Sequence, residues 1–512
     1  MNGTLAWPLA HAASLHSDAL AVIDGERRLT YAEVASRVGG LGASLAELGL
    51  ERGAFVGVLA KNSLEHLECW LGIPAHGYVL NDLNFRLAVS ELAFMVEDSS
   101  TVILFVDAGQ LEPGRALRDR CECLRQLVYM GEGACPEDCL AYSELVQAEP
   151  LQAPDLDTHA LATISYTGGT TGRPKGVMLS HANVLANARH NTMELGYGAQ
   201  DRYLHAAPMF HVADTSQTFP ITWAGGTHVM LPRFDAQRVA EAVEAHGITI
   251  LVAVPTMVRL LLSELDARPV DVSSLRFLLY AAAPITPELQ QRAIEALGCD
   301  LWQGYGMTEA APSVTFLTAE DHRLGRALRS VGQPIRGVQV EIRDPHGTPV
   351  GATEVGEICV RGPNVMLGYW NRPEATESAL VDGWYRTGDA GYIDPAGYVF
   401  VVDRLKDMII SGGENVYSVE VEQALVTHPG VDEAAVFGIP HELWGEAVHA
   451  VVVAGAGGAV LDEPELIAHC RRQLAGYKLP RSIEIREQPL PKSGAGKVLK
   501  HELRGALLGP GS

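Results

Sequence analysis

Residues 166–181, YTGGTTGRPKGVMLSH, concentrate the chemistry of this chain. Gly168, Gly169, Gly172 and Gly176 lie among Thr167, Thr170, Thr171, Arg173 and Lys175. Glycines leave backbone N–H groups bare, the threonines add hydroxyls and two cations add charge. Such a set suits a single anionic ligand, and polyphosphate is the natural candidate. The common nucleotide loop GxxxxGK[ST] is a different object, because Pro174 directly precedes Lys175 and Gly176 follows it. Pro174 also steers Arg173 away from helical angles, so the loop is expected to stay extended and not to open a helix. Apolar ATISY before it and GVMLSH after it place the loop between two buried elements. On composition alone, a flexible surface loop is the competing reading.

Four further clusters carry polar chemistry. In QGYGMTE, Tyr305 is suited to stack on a base, Thr308 to bond phosphate, and Glu309 to hold a metal through phosphate oxygens; a strand corner with a packed tyrosine is the alternative. In WYRTGD, Asp389 follows a glycine turn and can accept two ribose hydroxyls, or make an Asx turn. DRLKD, residues 403–407, runs into SGGEN, residues 411–415, a charged-then-glycine pattern that fits an interdomain hinge or a solvated turn. LPKSGAGK, ending at Lys497, is a second glycine–lysine loop, which either neutralises charge on transferring phosphate oxygens or is an ordinary basic tail.

The elements that must position these loops follow from periodicity. AVIDG, FVGVLA and similar runs alternate with helical stretches such as LTYAEVASRVGGLGASLAELGL over the first 400 residues or so. Thr30 with Glu33 forms a capping box, and Thr286-Pro287-Glu288 is another helix start. This alternation predicts α/β layers around largely parallel sheets. After about residue 330, VQVEIRD, EICVRG and GYIDPAGYVFVVD read as a small β-rich subdomain with tight turns such as Asp344-Pro345-His346-Gly347. From Arg404 onward helices and strands mix again, over a length fit for one small domain. AGAGGA at 454–459 reads as a surface loop and the terminal GPGS as an unstructured end.

With 512 residues, two or more domains are expected. Hydrophobic residues at 47% and charged residues at 20% describe a globular protein, and a net charge of -23 argues against a nucleic-acid partner. No membrane span is expected, since the most apolar stretch, 248–262, is short and broken by Pro255 and Arg259. The opening MNGTLAWPLAHAAS lacks the basic start of a secretory signal, so a cytoplasmic location is expected. Eight cysteines make no disulfide scaffold; Cys121, Cys123, Cys135 and Cys139 cluster, but not at zinc-knuckle spacing, and reduced thiols are preferred over a metal site.

The order of the five clusters resembles the adenylate-forming superfamily of acyl-CoA synthetases, luciferases and peptide-synthetase adenylation domains, across residues 25–505. LNFRL at 83–87 and ISGGENVYSVEVE at 410–422 resemble its acyl- and aryl-CoA ligase branch. The resemblance implies a large N-terminal domain, residues 1–403, of layered α/β subdomains with the small β-rich subdomain, and a mobile α+β C-terminal domain, residues 404–512, hinged near Lys406. It implies that Thr167, Gly168, Gly169, Thr170, Thr171, Gly172 and Lys175 grip the β- and γ-phosphates of ATP. Ala282, Ala283 and Gln303 would lie at the nucleotide, Tyr305 would stack on adenine, and Thr308 and Glu309 would meet the α-phosphate and Mg²⁺. Asp389 and Arg404 resemble the ribose ligands, and Lys497 the lysine that bridges carboxylate and α-phosphate. Gly412 and Gly413 resemble the lining of a pantetheine tunnel, and Trp444 a contact to coenzyme A. The implied reaction adenylates a carboxylic acid with loss of pyrophosphate, then passes the acyl group to the CoA thiol with loss of AMP. A carrier protein as acceptor, a chain specialised for one half-reaction, and assembly as a homodimer stay open.

Three features depart from the family pattern. Ala281-Ala282-Ala283-Pro284 replaces Gly-Gly-Ala-Pro beside adenine. Asn81-Asp82 stands where the family is often apolar, and the sequence offers no account of it. Pro208-Met209-Phe210-His211 resembles the aromatic–histidine gate to the acid, where amino-acid-activating relatives carry an aspartate in place of His211. Beyond it the run VADTSQ is unusually polar, and Asp214 either bonds a polar substrate group or caps the following helix, the cap being preferred. Small Ala310, Ala311 and Pro312 leave room for a bulky acid.

Overall fold

The computed structural model describes residues 3–167, 174–283, 285–411, 414–455, 461–492 and 498–508. Gly168, Gly169, Thr170, Thr171, Gly172, Gly412, Gly413 and Lys497 lie outside these, as do most of the 454–459 loop and the terminal GPGS. The chain divides into two compact units: Met1–Val340 with Val360–Tyr385, and Glu341–Cys359 with Arg386–Ser512.

The first unit is built on two large, mainly parallel sheets. One has nine strands, in the order Gln333–Pro334, Ser313–Leu317, Asp300–Gly306, Phe277–Ala281, Ile250–Ala253, Arg202–His205, Thr227–Met230, Leu20–Asp24 and Arg27–Thr30. Its interior strands pair in parallel, and the antiparallel pairings lie toward its edges. Continuous apolar runs such as FLLY at 277–280 follow from burial on both faces. Helices Ala236–His246, Pro255–Ala267 and Pro287–Leu297 bury Val239, Val243, Val258, Leu262, Leu289 and Ala293 against it. The apolar stretch at 248–262 is therefore a strand followed by a helix with Pro255 at its first position.

The second sheet has eight strands, ordered Gly368–Tyr369, Lys175–Ser180, Leu161–Thr167, Val79–Asp82, Phe55–Leu59, Ile103–Val106, Gln126–Tyr129 and Leu140–Ala141. Val89–Ser99 and Leu111–Arg120 pack on it through Leu92, Met95, Val96 and Leu117. Both helix starts read from the sequence form. Thr30 and Glu33 exchange bonds of 3.3 and 2.7 Å, and Thr286 accepts from Leu289 N–H at 3.3 Å.

Asn81 and Asp82 also gain a physical account. Asn81 donates to Ser99 and Thr101 at 3.1 and 3.0 Å, and Asp82 accepts from Trp70 Nε1 at 2.7 Å and meets His66 Nε2 at 2.9 Å. They are buried polar ties between sheet and helix.

In the second unit, Asp389 to Ile393 pairs antiparallel with Val399–Arg404. Beyond these, Gly445–Ala454 is flanked by antiparallel Val431–His441 and parallel Ser482–Arg486. Ser418–Val426 and Glu463–Arg471 cover one face through Val421, Leu425, Leu466 and Cys470, while Leu503 of Lys500–Leu508 packs with Phe437, Val451 and Val453. The short strands expected after residue 330 are present as Gln339–Arg343, Gly356–Arg361, Leu380–Val381, Trp384–Ile393 and Val399–Arg404. All eight cysteines are free thiols.

Candidate active site

The phosphate-loop candidate is the connection of a hairpin. Leu161–Thr167 runs antiparallel to Lys175–Ser180, with Thr167 opposite Lys175 and Tyr166 opposite Gly176. A strand, and not a helix, begins at Lys175, as the sequence reading expects. The base of the loop is tied down on both sides. Tyr166 donates to Asp98 Oδ2 at 2.9 Å, and Trp370 donates through Nε1 to the Asp98 carbonyl and through its backbone to the Gly176 carbonyl, both at 2.8 Å. Burial, then the Asp98 carboxylate, pushes the Tyr166 phenol far above its ordinary value, so it remains a donor.

Distant residues meet at this base. The Lys175 ammonium lies 4.9 Å from the centroid of the Tyr369 ring, and the Tyr369 hydroxyl donates to Glu309 Oε1 at 3.0 Å. Tyr369 reaches both because Gly368–Tyr369 pairs with the strand that Lys175 begins. One tyrosine thus joins the cation of the loop to the carboxylate of the GYGMTE cluster.

That cluster is the tip of a second hairpin, Asp300–Gly306 against Ser313–Leu317. Its apex is a short 3-10 turn, Thr308–Ala310. Gly306 is obligatory there, because a Cβ would stand 1.9 Å from the Pro312 carbonyl oxygen. Asn364 locks the apex by donating to the carbonyls of Ala310 and Ser313 at 2.6 and 2.9 Å, and Met366 N–H donates to Glu309 O at 2.8 Å. Gln303, below the tip, accepts from the Tyr280 hydroxyl at 3.0 Å. Tyr305 is partly exposed and lies opposite Thr315. Ala281 is opposite Gly304, which brings Ala282 and Ala283 to the same edge. Ala282 has φ +72°, so the alanine that departs from the family pattern occupies a left-handed position that favours glycine.

The candidate acid gate brings two separate motifs together. Phe210 packs edge to face on Phe85 of LNFRL at 5.3 Å, and the Arg86 guanidinium lies 5.6 and 5.8 Å from the two rings. His211 Nδ1 accepts from Ala213 N–H at 3.1 Å, so His211, and not Asp214, caps the turn Val212–Thr215.

The capping role preferred for Asp214 is therefore corrected. Asp214 is fully buried, and both its oxygens are engaged: Oδ1 accepts from the Tyr203 hydroxyl at 2.8 Å and Oδ2 meets His205 Nδ1 at 2.6 Å. His205 Nε2 meets His228 Nδ1 at 2.9 Å, His228 Nε2 meets Thr222 Oγ1 at 3.0 Å, and Thr222 donates to the Thr218 carbonyl at 2.7 Å. Proton bookkeeping fixes the polarity. Thr222 spends its proton on Thr218, so His228 donates through Nε2 and accepts through Nδ1. His205 then donates through Nε2, which leaves one proton shared between His205 Nδ1 and Asp214. Burial and the neighbouring His205 hold His228 far below the ordinary histidine value, hence neutral. The polar stretch beyond the gate is thus an internal brace, and its carboxylate has no oxygen to spare for a substrate.

Beside this brace a narrow cleft opens, lined by Val212, Thr215 and Ser216 after the gate and by Ala311 and Pro312 after the GYGMTE tip. Of the small residues singled out as making room, Ala311 and Pro312 are at its wall, and Ala310 is fully buried behind them.

In the second unit, Asp389 and Arg404 are ion-paired at 2.6 Å, cross-strand partners in the antiparallel ladder. Gly388, at φ +72°, turns the strand, and its N–H donates to Glu357 Oε1 at 3.1 Å. Asp389 N–H donates to Thr387 Oγ1 at 3.0 Å, which fixes the carboxylate's base. Lys406 is exposed in the turn between Val399–Arg404 and Ile409–Ser411. Just before it, Asp403 accepts from Ser418, and Lys500 donates to Ser418 and pairs with Glu422 at 2.7 Å. Burial pushes the carboxyls of Asp403 and Glu422 above their ordinary values. Trp444 stacks on His441 at 4.3 Å, with the Arg481 guanidinium 4.3 Å from its ring.

Sequence reasoning missed Tyr369, Asn364 and Asp98. Each acts through one hydroxyl, amide or carbonyl in an otherwise ordinary stretch, and only tertiary contact gives it a role.

Comparison with known proteins places the chain in a family. Residues 9–370 match the model for AMP-binding enzyme, and residues 420–497 that for AMP-binding enzyme C-terminal domain. The chain belongs to the AMP-binding enzyme family, the adenylate-forming superfamily that its motifs resemble. A feruloyl-CoA synthase from Amycolatopsis sp is 41% identical over 511 residues, covering 98% of this chain and 99% of that one. An indoleacetate–CoA ligase from Aromatoleum aromaticum is 35% identical, covering 96% of each. The structure of o-succinylbenzoate CoA synthetase from Bacillus subtilis, in complex with its acyl-adenylate intermediate, superposes with a TM-score of 0.86 at 31% identity, covering 97% of each chain. Among the described residues no helix is long and apolar enough to cross a membrane.

Proposed function

We propose that the protein is an ATP-dependent acid–CoA ligase acting on an aromatic carboxylic acid. The observation that carries the reading is the Lys175–Tyr369–Glu309 constellation, which joins a phosphate-type loop to an acidic hairpin tip. Feruloyl, indoleacetate and succinylbenzoate, the groups in the relatives' names, all contain an aromatic ring. In this reading Thr167, Lys175 and the intervening residues hold the phosphates, while Tyr305, Gln303, Ala282 and Ala283 flank the base. Thr308 takes the α-phosphate, Asp389 and Arg404 the ribose, and His211 stands at the acid. Gly412, Gly413 and Trp444 receive coenzyme A.

Glu309 fits a Mg²⁺ role, because magnesium is commonly held by one or two carboxylates together with substrate phosphates, and this carboxylate is fixed by Tyr369. Bound there, the ion would offset charge on the phosphate oxygens. The substrate carboxylate attacks the α-phosphorus, the bond to pyrophosphate breaks, and Lys497 and Thr308 stabilise the charge that develops. The CoA thiol then attacks the acyl carbon and AMP leaves. Residues 404–512 act as the mobile domain, pivoting at Lys406, so that Lys497 serves only the first step. Use of ATP and CoA suits a cytoplasmic enzyme.

The test is a panel of aliphatic, aromatic and polycyclic acids with Mg-ATP, with and without CoA, scoring AMP and acyl-CoA by mass spectrometry. Aromatic acyl-CoA is the expected product. Loading of a carrier protein with no acyl-CoA from any acid would replace the acceptor. Lys497→Ala should depress adenylation far more than thioester formation from supplied acyl-adenylate, and equal loss of both would refute the domain rotation.

A further inference from the structure

The candidate acid gate stands on a stretch that no regular element holds. Phe210 and His211 follow strand Arg202–His205, and residues 206–211 form neither strand nor helix. Backbone groups outside a ladder need other partners. The side chain of Asn62 serves three of them. Its Nδ2 donates to the carbonyls of His205 and Ala207 at 3.1 and 2.8 Å, and its Oδ1 accepts from Met209 N–H at 2.9 Å. Asn62 is 2% exposed and Met209 is fully buried. Carbonyls only accept and an N–H only donates, so a single orientation of the amide satisfies all three.

Asn62 comes from the other large sheet, three residues beyond the end of strand Phe55–Leu59. Its own loop is tied down: Lys61 N–H donates to Asp107 Oδ2 at 2.8 Å, and His66 Nδ1 meets the Lys61 carbonyl at 3.2 Å. Phe85 belongs to the same sheet, following strand Val79–Asp82, which pairs with Phe55–Leu59. Phe210 follows a strand of the nine-stranded sheet. The two gate rings that meet at 5.3 Å thus come from different sheets, and Asn62 bridges those sheets one residue before Phe210.

We propose that Asn62 is a positioning residue for activation of the acid, holding the Phe210–His211 gate in register with Phe85 so that the acid meets a preformed entrance. This rests on the acid–CoA ligase reading and deepens it. A staple between sheets that served stability alone would affect both substrates equally. A positioning residue acts on the acid and spares the nucleotide, whose candidate contacts lie on other loops.

The experiment compares the wild type with Asn62→Ala and Asn62→Asp, measuring kcat and KM for Mg-ATP and for the aromatic acid that the wild type turns over fastest, ferulic acid being tried first. Asn62→Ala should raise KM for the acid about tenfold and leave KM for ATP within about twofold. Asn62→Asp keeps the shape but turns an acceptor toward two carbonyls, so its effect should be the larger. In a Phe210→Ala background the gate ring is already gone, so adding Asn62→Ala should raise KM for the acid by less than about twofold. Equal rises for acid and ATP, or full additivity with Phe210→Ala, would overturn the positioning role. Should neither variant fold, hydrogen exchange of the wild type decides: the Met209 amide should be protected without acid and gain little on adding ferulate. A Met209 amide that exchanges freely until ferulate binds would overturn the preformed gate. No acyl-CoA from any acid would instead sink the ligase reading, a result that the exchange measurement does not share.

Discussion

Asp214→Ala is the sharpest test of the brace behind the acid gate. The substitution removes the acceptor of two fully buried donors, the Tyr203 hydroxyl and His205 Nδ1. A stranded neutral donor costs about 1–3 kcal/mol. The His205 side is dearer, because the proton that it shares with Asp214 loses its counter-charge, and breaking a buried ion pair costs about 3–5 kcal/mol. These penalties overlap, since both donors lose the same carboxylate, so a total of about 4 kcal/mol is expected. Asp214→Asn is the control. An amide oxygen can still accept from His205, the chain toward His228 and Thr222 can reverse its polarity, and no charge is stranded, so about 1–2 kcal/mol is expected. The assay is urea unfolding of the full chain, followed by fluorescence and circular dichroism and comparing transition midpoints. Alanine and asparagine variants that both fall within 1 kcal/mol of the wild type would refute the proton assignment, because the pair would then carry no buried charge.

Two other predictions concern backbone strain and pH. Ala282→Gly should raise stability by up to about 1 kcal/mol, because the left-handed φ of +72° penalises a Cβ by about 1–2 kcal/mol and glycine's greater unfolded-state entropy returns part of that gain; urea midpoints measure it, and a net loss would refute the strain. His181 Nδ1 accepts from the Leu5 N–H at 3.2 Å, and burial pushes its pKa down to about 4 from 6.5. The folded state therefore binds the proton more weakly than the unfolded state. The stability that this gives is fully present above pH 6.5 and is lost as the pH falls toward 4, by roughly 3 kcal/mol. In His181→Gln, whose side-chain oxygen can still accept from Leu5, proton uptake on unfolding between those values should drop by about one, read from the pH dependence of the urea midpoint; unchanged uptake would mean that His181 is protonated when folded.

The hairpin setting of the candidate phosphate-facing half was legible because its constraints are local. A turn between two buried elements around Pro174, a tight path at Gly306 and a glycine turn before Asp389 were each readable within a few residues. The acid-facing half was not legible, because its roles are settled by tertiary partners. Asp214 looked like a cap at a helix start, yet its acceptors are claimed by Tyr203 and His205 from the neighbouring strand, and the cap is His211, three residues earlier. Asn81 and Asp82 looked out of place until Ser99, Thr101, His66 and Trp70 supplied their partners. Tyr369 carried no signal at all, since its neighbours in sequence have nothing to do with Lys175 or Glu309.

Strand Leu161–Thr167 is a scaffold that the two halves of the candidate site share. Its C-terminal residue, Thr167, opens the phosphate loop, and its register against Lys175–Ser180 places Lys175 above Tyr369. Two and four residues earlier, on the same face, Ser165 and Thr163 line the cleft. A shift of one residue in the register would turn both hydroxyls into the opposite layer and carry Lys175 away from Tyr369. The register is thus a constraint that the candidate phosphate end and the cleft wall share.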